Sequence, residues 1–77
     1  MLEEQILSDF GQKLHQLRTE LGLSQERLGE LAQLDRTYVS SVERGQRNIS
    51  LLNICRLASA LECTPDRLLC NLRGPNE

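Results

Sequence analysis

The sequence predicts an all-α domain, a compact bundle of five helices, and three observations lead there. The 77-residue chain holds one phenylalanine, one tyrosine and no tryptophan, so its core has to be built from leucine, isoleucine, valine and alanine. Leucine is the commonest of these and favours helix. Apolar residues recur at steps of three and four through residues 2–21, and no strand-like alternation competes with them. Finally, one pattern of helix starts occurs four times: an apolar residue, a capping residue, and a second apolar residue four positions after the cap.

The first helix is expected over 3–21, where Leu2, Ile6, Phe10, Leu14, Leu17 and Leu21 make one apolar stripe that stops at Gly22. The second, over 25–32, starts from Leu23, Ser24 and Leu28. Leu34, Asp35 and Val39 open the third, over 36–44, and Ile49, Ser50 and Ile54 open the fourth, over 51–61. In the fifth, over 65–72, Cys63, Thr64 and Leu68 supply the pattern. Pro65 takes the first helical position, where its missing donor costs nothing. Each cap contributes about 0.5–2 kcal/mol. The second and third helices are so close in sequence that they have to cross steeply, and Gly29 is the candidate for the contact. Residues 1–72 are expected to form one domain, with 73–77 a flexible tail lacking apolar content.

Composition excludes several functions. A domain of this size buries only about 60–65% of its unfolded surface, which leaves little room for a substrate pocket. No stretch reaches the roughly 20 apolar residues that cross a bilayer. The amino terminus, with Glu3, Glu4 and Asp9, is the opposite of a basic signal peptide. A cytoplasmic protein with no membrane partner is the expectation. Cys55, Cys63 and Cys70 form no CxxC pair and His15 is far from them in sequence, so neither a metal site nor a cofactor is expected. Reduced thiols fit an odd count, with Cys55 and Cys63 as small hydrophobes. His15 has no partner at triad-like spacing and there is no glycine-rich phosphate loop, so the chain is not read as an enzyme.

The formal charge of −2 hides an uneven distribution. From Arg36 to Arg47 there are three arginines and one glutamate, whereas residues 1–9 carry three acids and no base. One face of an acidic protein can therefore be basic.

The run "LGLSQERLGELAQLDRTYVSSVERGQRNISLLNICRLASALECTPDRLL", residues 21–69, resembles the helix-turn-helix domain of the Cro and phage-repressor class, the XRE family. Within it, "LDRTYVSSVERGQRN" is similar to the controller proteins of bacterial restriction–modification systems. The chain departs from the family pattern at Gln33, where the turn usually carries glycine. A non-glycine residue in the left-handed region costs roughly 1 kcal/mol.

The resemblance implies a lambda-repressor-like fold and a sequence-specific transcriptional regulator that binds double-stranded DNA. Its third helix would lie in the major groove with its first residues against base edges. Arg36 would read guanine bidentately, and Thr37 would offer a methyl to thymine or a hydroxyl to a base or phosphate. Tyr38 would place its hydroxyl on a phosphate or its ring against a sugar edge, while Ser40 and Ser41 let the helix seat closely. Gln25, as in similar domains, would bond a phosphate at the start of the second helix. Arg47 and Asn48 would meet the backbone or a base. Arg18 and Glu43 match positions that form a partly buried ion pair in similar domains.

One such module makes few contacts, and domains of this type dimerise on palindromic operators. Ile54, Leu57, Leu61 and Leu69, in the leucine-rich last two helices, are the expected interface of a homodimer. Glu26 and Glu30, one helical turn apart, form an acidic patch that would suit the sigma subunit of RNA polymerase. The function implied is control of the protein's own gene and a restriction endonuclease gene. An antitoxin or phage-like repressor of the same fold is the alternative within the class, and an interaction module without DNA binding the alternative outside it.

Overall fold

The structure, a computed structural model, describes residues 2–72. The helices are α1 (Leu2–Glu20), α2 (Gln25–Ala32), α3 (Arg36–Glu43), α4 (Leu51–Ala60) and α5 (Pro65–Leu69), and no strand occurs among the described residues. The segment expected to be a flexible tail, 73–77, lies outside the described residues.

Three of the four anticipated caps form. Ser24 Oγ accepts from the Arg27 amide at 2.9 Å, Asp35 Oδ1 from the Thr37 amide at 2.8 Å, and Ser50 Oγ from the Asn53 amide at 3.2 Å. Thr64 makes no side-chain cap bond, and Pro65 alone marks the start of α5. That helix is shorter than the expected 65–72. The Cys70 amide closes on the Asp66 carbonyl, and Asn71 then turns away with φ +64°.

The helix ends share a closure that the sequence does not announce. The amides of Leu23, Leu34, Gln46 and Cys63 each reach back five residues, to the carbonyls of Arg18, Gly29, Ser41 and Ala58 at 2.8–3.1 Å. Before each stands a left-handed residue: Gly22, Gln33, Gly45 and Glu62. This is the six-to-one bond that satisfies orphan carbonyls at a helix end. Gln33 takes φ +60° where glycine would be free of strain. Leu23, Leu34 and Cys63 also precede the next N-cap, so one residue closes one helix and packs over the start of the next.

The core is aliphatic around a single ring. Phe10, Leu14 and Leu17 of α1 meet Leu28, Val39, Val42, Leu57, Ala58 and Leu68, all buried. Two helix glycines permit the approach of backbones. A Cβ on Gly11 would run into the carbonyl oxygens of Val42 and Glu43, so α1 crosses the end of α3 in direct backbone contact. A Cβ on Gly29 would lie 2.5 Å from the Leu34 carbonyl oxygen, so this glycine makes room for the turn between α2 and α3.

Gly11→Ala tests the crossing. Alanine is the better helix former by about 1 kcal/mol, so an unconstrained site would be stabilised. Here the overlap should reverse the sign, with a net loss of about 1–3 kcal/mol in urea unfolding.

Candidate nucleic-acid interface

Beneath the proposed DNA face, one buried cation ties three helices. Arg18 Nε donates to Glu43 Oε2 at 2.6 Å, Nη2 to Glu43 Oε1 at 3.0 Å, and Nη1 to the Leu23 carbonyl at 2.7 Å. The side chains of Arg18 and Glu43 are 10% and 5% exposed. The same arginine thus joins α1 to the last residue of α3 and to the chain entering α2. Gln25 Nε2 completes the cluster with a 3.0 Å bond to Glu43 Oε1. His15 Nδ1 lies 3.0 Å from Arg18 Nη2 and 3.2 Å from Glu43 Oε1.

Burial raises the affinity of the Glu43 carboxylate for a proton, but the bonds from Arg18 and Gln25 outweigh it and hold the group below the usual glutamate range. Its contribution to stability is therefore present above the unfolded-state value and is lost as pH falls through the lower folded-state value. Glu43→Gln should cost about 3–5 kcal/mol at neutral pH, the cost of stranding a buried partner. It should also flatten the acid limb of stability against pH, as urea titrations across the acid range will report.

The surface above belongs to α3 and the loop after it. Arg36, first residue after the Asp35 cap, is exposed and makes no hydrogen bond or ion pair among the described residues. It lines a shallow groove with Ser24, Gln25 and Glu26, floored by Arg18, so the expected base reader and the expected phosphate contact share one concavity. The Thr37 hydroxyl donates to Asp35 Oδ1 at 2.7 Å, which commits that group to the cap. These bonds, side chain first and backbone second, hold the Asp35 carboxyl below the ordinary aspartate range.

Tyr38 is half-buried rather than projecting freely. Its hydroxyl accepts from Asn53 Nδ2 of α4 at 3.1 Å, and the Arg47 guanidinium lies over its ring, 5.2 Å from the centroid. Ser40 and Ser41 are half-buried, and the Ser41 hydroxyl donates to the Tyr38 carbonyl at 2.9 Å. Arg47 and Asn48 are exposed, as is Arg44 at the C-cap of α3. The sequence singles out neither Arg44 nor Asn53, and it weighs His15 only as a metal ligand or catalyst, not as a member of this cluster. His15 stands one helical turn before Arg18, a spacing that signals contact on one face.

Three expectations need correction. Ile54, Leu57 and Leu61 are buried in the monomer's own core, at 9%, 0% and 5% exposure, so they are not free to meet a second copy. Their spacing of three and four makes one stripe, and packing inside the chain uses all of it. Leu69 remains outside, together with Leu51 and Leu52 at 72% and 63% exposure. Cys55, expected as a small hydrophobe, is exposed; Cys63 is half-buried, and desolvation pushes its thiol up. The acidic patch is also smaller than expected, because Arg27 Nη1 pairs with Glu30 at 3.1 Å and leaves Glu26. No group of three metal-ligating side chains clusters among the described residues, and no helix there is long and apolar enough to cross a membrane.

A sequence model of the helix-turn-helix family matches residues 14–68. Control protein C.BamHI of Bacillus amyloliquefaciens is 48% identical over 61 residues, which cover 78% of this chain and 75% of that protein. Control protein C.MunI of a Mycoplasma species is 44% identical over 64 residues, 82% of this chain and 86% of the relative. The chain belongs to the controller proteins of the helix-turn-helix family. This is a family of DNA-binding transcriptional regulators and not of enzymes. Among solved structures, the restriction–modification controller C.AhdI of Aeromonas hydrophila superposes with a TM-score of 0.80 at 60% identity, over 80% of this chain and 94% of that one. The DNA-binding domain of the P22 C2 repressor gives 0.77 at 29% identity, over 80% and 82%. In this controller, α2 and α3 are the helix-turn-helix pair.

Proposed function

We propose that this chain is a homodimeric transcriptional regulator that binds a palindromic operator and controls its own gene and that of a restriction endonuclease. The observation that carries the reading is Arg36, an unpaired and exposed guanidinium at the tip of α3, beside Gln25 at the amino terminus of α2. Such a tip enters the major groove, where arginine meets O6 and N7 of guanine. The likeness to proteins named as control proteins supports the regulatory role. Thr37, Tyr38, Ser40 and Ser41 then lie against the groove, with Arg47 and Asn48 on the adjoining loop. Two copies reading half-sites about 34 Å apart give the palindrome. Leu51, Leu52 and Leu69, exposed as are Leu2, Leu21 and Leu31, are the leucines of the last two helices left for the dimer contact. Recruitment of a polymerase sigma subunit, in this reading, rests on Glu26, because Arg27 occupies Glu30.

Footprinting on the DNA upstream of the protein's own gene should protect two half-sites. Arg36→Ala should lose about 1–3 kcal/mol of operator binding and relax preference at one base pair per half-site. Equal loss on random DNA would make Arg36 a phosphate contact instead. With about six phosphates neutralised, the log–log salt slope should be near −5. A flat salt response would remove the DNA-binding reading.

The dimer has its own check. Leu52→Asp should weaken self-association in sedimentation while leaving the helical circular dichroism of the monomer unchanged, because residue 52 is 63% exposed. Unaltered dimers in both Leu52→Asp and Leu69→Asp would place the contact elsewhere.

A further inference from the structure

The hydrogen-bond count around Glu43 Oε1 gives His15 a role. That oxygen already accepts from Arg18 Nη2 and from Gln25 Nε2, both at 3.0 Å, which uses its two lone pairs. His15 Nδ1 lies 3.2 Å from the same oxygen and 3.0 Å from Arg18 Nη2. The two contacts cannot both be hydrogen bonds of one ring state. A neutral ring with its proton on Nε2 leaves Nδ1 to accept from Arg18 Nη2 and brings no third donor to Oε1. Every group is then satisfied, and Gln25 Nε2 keeps one N–H for a ligand.

The Nδ1 proton that the imidazolium always carries reverses this. It faces an arginine donor, and its natural acceptor is the oxygen already filled. Arg18 is fixed by Nε on Oε2 at 2.6 Å and by Nη1 on the Leu23 carbonyl at 2.7 Å, whereas Gln25 has only its bond to Oε1. Of the two donors on Oε1, Gln25 is the less anchored. The charged groups facing His15 are Arg18, from its own helix, and Glu43, from α3; α2 contributes the uncharged Gln25.

We propose that His15, acting through Arg18 and Glu43, is a positioning residue that holds the Gln25 amide for a DNA phosphate and lets it go when the ring is protonated. The proposal rests on the reading that Gln25 meets a phosphate. His15 is the sole histidine of the chain, so a pH response that vanishes in His15→Asn traces to one ring.

The test compares operator affinity at about pH 8 and about pH 5.5, either side of the histidine range. Wild type should lose about two- to tenfold on acidification, the worth of one hydrogen bond. His15→Asn presents an oxygen in the accepting role of Nδ1 and does not titrate, so it should keep the higher affinity at both values. Gln25→Ala should bind more weakly and without the pH response. In the free protein, the side-chain amide resonances of Gln25 should move in step with the ring of His15, and stay fixed in His15→Asn. A pH response undiminished in Gln25→Ala, or a Gln25 amide that ignores pH, would overturn the proposal. A titrating amide with no operator binding by any variant would instead remove the phosphate contact and leave the release of Gln25 standing.

Discussion

The bidentate bond between Arg18 and Glu43 is the constraint on which the DNA face depends. An exposed pair such as Arg27 with Glu30 contributes a few tenths of a kcal/mol at most and orients nothing beyond itself. The buried pair differs in consequence. Its desolvation is offset only if every donor and acceptor is met, so the guanidinium admits few positions of α1, α3 and the chain entering α2. Gly11 works to the same end, since without a Cβ it lets α1 lie against the carbonyls that flank Glu43.

Above that anchor the labour is divided. Residues bonded within the protein, such as Thr37 to its cap and Tyr38 to Asn53, stiffen the reading surface. The Arg36 side chain is left without a partner among the described residues, so its full donor set is free for the base contact proposed above. A rigid frame around one free fork is how a small domain limits the entropy lost on binding.

The helix starts were legible because each is written locally, in a cap and two flanking apolar residues; Ser24, Asp35 and Ser50 all bond as that grammar requires. The site residues Arg36 and Gln25, and the Arg18–Glu43 pair, came instead from the resemblance. What stayed hidden depended on contact between distant segments. Gly11 looks like any helix glycine until Val42 and Glu43 are set against it, and His15 looks inert until Glu43 arrives from 28 residues away. The misplaced dimer residues have a related cause. Periodicity marks Ile54, Leu57 and Leu61 as apolar, but it does not say whether the chain itself or a second copy covers them.

Leu23, Leu34 and Cys63 each end one helix and begin the next, so these joints contain no spare residue. One added residue would break the backward bond or unseat the following cap, and an α-helix turned by one residue rotates its faces by about 100°. The connections therefore accept substitution and refuse insertion. In the proposed mode of binding, divergence of target sequence on such a scaffold runs through exchange of individual side chains at the α3 tip, with the angle at which that helix is offered to DNA held constant.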